Sequence, residues 1–402
     1  MKTLETEFNK NLDDILHYDK ENAIEKIIQM VFEGILKAER NLFLQENPTP
    51  GNKANGYYER MARAINQYFK LRVPRDRLSF FQPVFLEVID EYNEQLHDLA
   101  FKLYTNGLTT RDINKILGEV FGKRISPASV STIVKDFEET RKSWLARKVD
   151  DEYYFLYIDA IWIATRRDTV QKEAYYIVLG LKKDLTREVL GVYNVPTESA
   201  SGWADVFIDL KQRGLKKTLL IIADGIAHLE DAVHMHLHGA RLQKCLLHKF
   251  RNVLGKVRPS DKMPIIEDLH NVFQLENSFW DEDQAHKKLD EFIIKWSKKY
   301  PSIKNMFLPG DYMYYTAYLV FPPQCQRMIY TTNWIERLNK AIRKTEKVRN
   351  SFPNPDSALN LICAFLIDFE KNVYKHPVTA FKPNQAVLEE YLENGLPRKD
   401  TI

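Results

Sequence analysis

The sequence predicts an α/β protein: a mixed β-sheet with helices on both faces, broken by a helical insertion and preceded by a mostly helical N-terminal region. Three observations carry this. Residues 149–257 read as strand, strand, strand, helix, strand, helix, strand. A segment of roughly 70 residues with helical periods and no strand pattern follows the last strand. Ahead of the sheet, residues 83–148 read as three helices in quick succession.

In chain order, AIEKIIQMVFEGILKAER has the helical period and leads into the loop QENPTPGNKANG. In NGYYERMARAINQYFKLRVPRDR, YFKLRV reads as a short strand that Pro74 stops, so residues 1–82 form a helical and mixed region. Three helices follow, PVFLEVIDEYNEQLHDLAFKLYTNG, TTRDINKILGEVFG and SPASVSTIVKDFEETRKSWLARK. Gly107 ends the first, Thr109 or Thr110 caps the second, and Ser126 with Pro127 opens the third. This is the layout of a helix-turn-helix, although a plain three-helix packing unit fits the same pattern. In the third helix Val130, Ile133, Val134 and Phe137 pack inward. Ser129, Ser131, Thr132 and Lys135 then face outward, as small polar residues that enter a DNA major groove do.

YYFLYIDAIWIAT, EAYYIVLGLKK and REVLGVYNV are rich in β-branched and aromatic residues, and turn-length polar segments part them, as in a three-stranded meander. A helix capped by Ser199 or Ser201 comes next. TLLIIAD is a continuous apolar run, hence a buried central strand, followed by the helix HLEDAVHMHLHG and a last strand around ARLQKCLL. That order is the ribonuclease H-like arrangement. Residues 258–327 read as the insertion, residues 328–375 as the resumed sheet domain, and 376–402 as a C-terminal tail.

Composition narrows the class. With 402 residues, 44 % of them apolar, the chain is long enough for several cores. No apolar run approaches the roughly 18 residues that span a bilayer, and MKTLETEFNKNLDD is polar and acidic, without an apolar signal core. Cys245, Cys325 and Cys363 are far apart and odd in number, which argues for a reducing compartment. The expectation is a cytoplasmic protein with no membrane partner. Net charge is only +3, but residues 240–262 hold seven bases against one acid, and 331–349 hold six against two. Brought together, those segments would make one phosphate-binding surface.

The chemistry rests on three acids. Asp159 lies in the middle of the first strand and Asp224 at the end of the fourth; in this strand order the two strands are parallel neighbours. An aspartate among Ile158, Ala160, Ile161 and Trp162 is costly without a partner, and a divalent cation suits two converging carboxylates. Glu336, in TTNWIERLNKAIRKTEKVR, reads alone as a surface ion pair with Lys340. If Trp334, Ile335, Leu338, Ala341 and Ile342 pack down, it becomes the third oxygen donor. Three carboxylates suit two Mg²⁺ or Mn²⁺ ions about 4 Å apart, which activate a water or a DNA 3′-hydroxyl and steady the leaving oxygen. Arg337, Lys340, Arg343, Lys344 and Lys347 would then hold the DNA backbone.

NGYYER, LRVPRDR, YIDAIW, REVLG, IIADG, QKCLLHKFRNVL and TTNWIERLNKAIRK followed by SFPN occur in the order of a known family. Over most of residues 55–375 the chain resembles the Mutator-like bacterial insertion-sequence transposases. The resemblance implies a ribonuclease H-like catalytic domain with an Asp-Asp-Glu metal site. It further implies binding to double-stranded terminal inverted repeats, cleavage that frees 3′-hydroxyls, and joining to target DNA by a homodimer, nucleoid-associated when bound. In this sequence Asp224 and Gly225 are followed by Ile226, Ala227 and His228, where the family has a second glycine. Cys245 and His248 match the family's Cys-x-x-His pair and are read as support at the end of the last strand. A zinc site needs four ligands, and no second pair has suitable spacing. Lys249, Arg251 and Asn252 are expected to face phosphate. Family likeness suggests Trp280 and Trp296 as base-stacking residues; a tryptophan at helical spacing with Phe279, Phe292 and Ile293 is more often core. The rival functions are a metal-dependent nuclease that cuts without joining and a non-catalytic DNA-binding regulator.

Overall fold

The computed structural model describes residues 23–64, 67–105, 108–120, 127–195, 200–349 and 351–397. The chain divides into two compact units, Met1–Tyr104 with Thr109–Val134, and Thr105–Leu108 with Lys135–Ile402. No helix among the described residues is long and apolar enough to cross a membrane.

In the first unit, α1 (Ala23–Glu46) covers an antiparallel pair, β1 (Ala54–Ala64) and β2 (Gln67–Asp76). Leu36 packs with Ala62, Phe69, Leu71 and Val73, and with Leu86 and Ile89 of α2 (Val84–Thr105). This departs from the sequence reading, which had one short strand ending at Pro74. Both strands of a two-stranded sheet are edges, so Pro74 opposite Tyr57 removes no interior ladder bond and β2 continues to Asp76. β1 stayed hidden because Glu59, Arg60 and Arg63 interrupt its apolar pattern. Thr109 caps α3 (Thr110–Val120) reciprocally: the Asp112 amide donates to Thr109 Oγ1 at 3.1 Å, and the Thr109 amide donates to Asp112 Oδ2 at 3.0 Å. Pro127 starts α4 (Pro127–Ala146). Gly107, Ser126 and the side chains of Ser129, Ser131, Thr132 and Lys135 lie outside the described part.

The second unit is built on β3 (Glu152–Arg166), β4 (Val170–Leu181), β5 (Arg187–Asn194), β6 (Lys217–Ala223) and β7 (Arg241–Lys244), in the spatial order β5-β4-β3-β6-β7. β3, β4 and β5 form the expected antiparallel meander, and β6 and β7 run parallel to β3. Between the strands lie α5 (Ala200–Gln212) and α6 (Leu229–His236). Trp203, Phe207 and Leu210 of α5 join Leu156, Ile158 and Tyr176 in one core cluster. Elsewhere on β3, Phe155 meets Phe321 and Phe381 with ring centroids 5.3 and 5.4 Å apart, and Tyr157 meets Trp334 at 5.2 Å. Tyr153–Ile158 of β3 are buried on both faces of the sheet, which needs the continuous apolar run that this stretch shows before Asp159.

From α7 (Leu246–Leu254) the chain passes through α8 (Lys262–Val272), α9 (Glu282–Ser297), α10 (Ser302–Met306), α11 (Tyr312–Thr316) and α12 (Pro323–Ile329), linked by 3₁₀ turns. Ile265, Leu269, Phe292, Trp296 and Phe307 are buried here. Gln243 at the end of β7 ties this segment to the sheet: its Nε2 donates to the Tyr315 carbonyl at 3.1 Å and its Oε1 accepts from the Tyr318 amide at 2.9 Å. α13 (Asn333–Arg349) and α14 (Pro355–Phe369) return to the sheet, where Phe352 exchanges backbone hydrogen bonds with Ala164 and Arg166. The segment read as a tail holds α15 (Gln385–Asn394) and packs firmly: Phe381 is buried against Phe155, and Glu389 accepts from the Tyr154 hydroxyl at 3.2 Å.

Candidate active site

Strand register brings the first two acids together. Ile158 of β3 lies opposite Ala223 of β6, so Asp159 and Asp224 each follow one residue later on parallel neighbours. Asp159 is 8 % exposed. Its Oδ1 accepts from the Ala160 amide at 2.9 Å, and its Oδ2 accepts from Asn339 Nδ2 at 2.9 Å. Asp224 is half-buried at the β6 end, where its Oδ1 accepts from the Gly225 amide at 2.7 Å.

Glu336 occupies the first turn of α13, whose Ile335, Leu338 and Ile342 are buried. Its carboxylate faces the same cleft, a space of about 470 Å³ lined by Asp159, Asp224, Glu336, His248, Arg251, Asn339, Lys340 and Arg343 among others. His248, in the first turn of α7, bridges two of the acids: Nδ1 is 3.7 Å from Asp224 Oδ1 and Nε2 is 3.4 Å from Glu336 Oε1. Arg251 Nη1 approaches Glu336 Oε1 at 3.2 Å.

The electrostatics follow from this crowding. Burial pushes the Asp159 carboxyl up to about 6; His248 and the Ala160 amide oppose the shift, while Asp224 and Glu336 add to it. His248 is pushed up to about 9, first by its hydrogen bond with Cys245 and then, against the cost of burial, by the neighbouring Cys245, Asp224 and Asp159 side chains. At neutral pH the ring is therefore an imidazolium among carboxylates.

The donor set fits a hard divalent cation, because the three acids supply only oxygen and the buried Asp159 lacks a full counter-charge. Among the described residues it is Cys245, His248 and Glu336, and not the three acids, whose ligand atoms lie within 4.8 Å of one another. Cys245 Sγ is buried, however, and already accepts from the Thr332 amide at 3.4 Å and hydroxyl at 3.3 Å. The pair therefore fastens α7 to the start of α13, and no four-ligand zinc set forms among the described residues.

The remaining expected residues divide. Lys340 and Arg343 line the cleft; Arg337, Lys344 and Asn252 are exposed, and the Lys347 side chain lies outside the described part. Lys249 instead lies over the Phe307 and Tyr315 rings, and burial pushes its ammonium down to about 8. Trp296 is 9 % exposed and donates its indole N–H to Asp268 at 2.6 Å, which makes it core and not a stacking surface. Trp280 is half-buried and donates to the Val272 carbonyl at 3.0 Å, whereas Phe279 is 88 % exposed. Sequence reasoning missed Asn339, Thr332 and the cleft-lining Trp162. The one available signal was a polar residue, Asn339, in the apolar stripe between Leu338 and Ile342.

The cleft holds three acids beside Arg251, Lys340 and Arg343, and such clustered bases suit a polyanion. The sequence matches the family described as "Transposase, Mutator family" over residues 1–376, and the chain belongs to that family of DNA-processing enzymes. It is 31 % identical over 362 residues to the transposase of insertion sequence element IS1201 from Lactobacillus helveticus, covering 87 % of this chain and 96 % of that one. It is 30 % identical to the transposase of IS905 from Lactococcus lactis, over 85 % of this chain and 88 % of the relative. The transposase of IS256 in transposon Tn4001 from Staphylococcus aureus is 28 % identical, with 90 % and 93 % covered.

Proposed function

We propose that the protein is an insertion-sequence transposase of the Asp-Asp-Glu type, in which Asp159, Asp224 and Glu336 hold two Mg²⁺ or Mn²⁺ ions on a ribonuclease H-like sheet. The observation that carries this is the meeting of the three acids in one cleft, two by strand register and the third through His248. Bound there, the ions would activate the attacking oxygen and stabilise the leaving oxygen of an in-line phosphoryl transfer.

The chain's own residues orient the DNA. Lys340 and Arg343, one and two turns beyond Glu336, grip the phosphates flanking the scissile bond, and Arg251 does so from α7. His248 supplies the positive charge that lets Asp224 and Glu336 approach each other before substrate arrives. The residue pattern of α2 to α4 supports a helix-turn-helix in which Ser129, Ser131, Thr132 and Lys135 read the terminal inverted repeats. Two ends must be held together for joining, so the working form is a homodimer on DNA.

Labelled transposon ends incubated with a target plasmid and Mg²⁺ test the reading. Joined products support it. Nicks without joining would make the protein a nuclease, and binding without nicks a regulator.

A further inference from the structure

We propose that Asn339 is a positioning residue: by gripping Asp159 it fixes the helix that carries Glu336 against the strand that carries the first acid. This rests on the reading of Asp159, Asp224 and Glu336 as metal ligands and adds a residue to it.

Asn339 lies on α13 three residues after Glu336, so both project from nearly the same side of the helix. It is 2 % exposed. Its Nδ2 donates to Asp159 Oδ2 at 2.9 Å and to the Ala160 carbonyl at 3.4 Å. The amide orientation is dictated by chemistry, because a flipped group would aim its own oxygen at a carboxylate and a carbonyl. In this orientation Asn339 Oδ1 is buried with no hydrogen-bond partner.

That orphan is the telling detail. A buried carbonyl without a partner destabilises the fold, and leucine at this position would continue the apolar stripe of Leu338 and Ile342 without leaving one. Packing therefore does not explain an amide here, whereas a grip on Asp159 does. The other end of the turn is held separately, by the Thr332 amide and hydroxyl on Cys245 Sγ, and the Glu336 amide donates to the Thr332 carbonyl at 2.9 Å. Glu336 thus sits between two anchors, and of the two only Asn339 touches another acid of the site. Losing its grip leaves the Ala160 amide as the remaining hydrogen bond on Asp159 and lets α13 drift from β3, which spoils a shared coordination geometry while leaving the core intact.

The test is Mn²⁺ binding to the full chain, followed by electron paramagnetic resonance, with thermal unfolding of the metal-free protein measured in parallel. Asn339→Leu is expected to weaken Mn²⁺ binding roughly 10- to 100-fold, the usual cost of losing a group that orients a ligand, while the Tm stays level or rises. Should leucine prevent folding, Asn339→Ala removes the amide without added bulk and gives the same loss of affinity. A folded variant of either kind that binds Mn²⁺ as the parent does overturns the inference alone. If the parent binds no Mn²⁺, or binds it unchanged after Asp224→Asn, the metal reading of the three acids falls and takes this inference with it.

Discussion

The strands that carry Asp159 and Asp224 and the helix that carries Glu336 meet in one cleft but are held there by different physics. β3 and β6 are bound to each other by a parallel backbone ladder, so the separation of the two aspartates follows from register. α13 has no ladder to the sheet. It docks through Ile335, Leu338 and Ile342 and through two side-chain anchors, Thr332 on Cys245 and Asn339 on Asp159. Two acids are thus set by main chain and one by side chains, and the third is the easier to displace.

Several experiments would break or sharpen that contrast. The largest effect is common to both regions: Asp159→Asn, Asp224→Asn and Glu336→Gln should each lower cleavage of labelled ends by about 10³-fold, and intact cleavage in any of them removes that residue from the site. The regions should part at their apolar supports. Ile221→Ala in β6 should cost about 2–5 kcal/mol in denaturant unfolding while the surviving folded molecules still cleave. Ile335→Ala should instead lower cleavage roughly 100-fold per folded molecule, through misplacement of Glu336.

A smaller effect concerns charge. The folded-state pKa of Asp159 is raised to about 6 from 3.8, so its burial favours the fold below the unfolded value and that contribution is lost as pH rises through 6. Without divalent metal, the stability of Asp159→Asn relative to the parent should therefore improve by on the order of 2 kcal/mol between pH 4 and pH 7.5, measured by denaturant unfolding. A flat difference would mean that His248 already neutralises the carboxylate. His248→Gln, which keeps a polar group but removes the cation, should reduce cleavage roughly tenfold. Last, Arg251→Met should change stability by less than about 0.5 kcal/mol, because that side chain is 51 % exposed.

The same contrast explains what was legible in the sequence. Strand patterns are local, so the meander, the buried run TLLIIAD and the alignment of Asp159 with Asp224 could be read directly. Glu336 became legible only through the surrounding TTNWIERLN, since its partners lie far away in sequence. β1 escaped because its charged residues mask the alternation, and β2 outran Pro74 because edge strands tolerate proline. The anchors were invisible for a related reason: Cys245 to Thr332 spans 87 residues and Asp159 to Asn339 spans 180, and no periodicity reports contacts over such distances. Trp296 is the opposite case: family likeness suggests it for DNA, while its own helix pattern favours the core in which it is buried.

The 180-residue reach from Asp159 to Asn339 also has a meaning in time. At the roughly 5–20 residues per second of protein synthesis, Asp159 leaves the ribosome some 10–40 s before the amide that will grip it. Asp224 follows Asp159 by 65 residues and Glu336 by 177, so for most of that interval the nascent chain lacks the third acid. Any product cut short by abortive translation or a premature stop before residue 336 inherits the same deficiency, and a genome carrying a damaged copy of the reading frame makes fragments without a complete acidic triad.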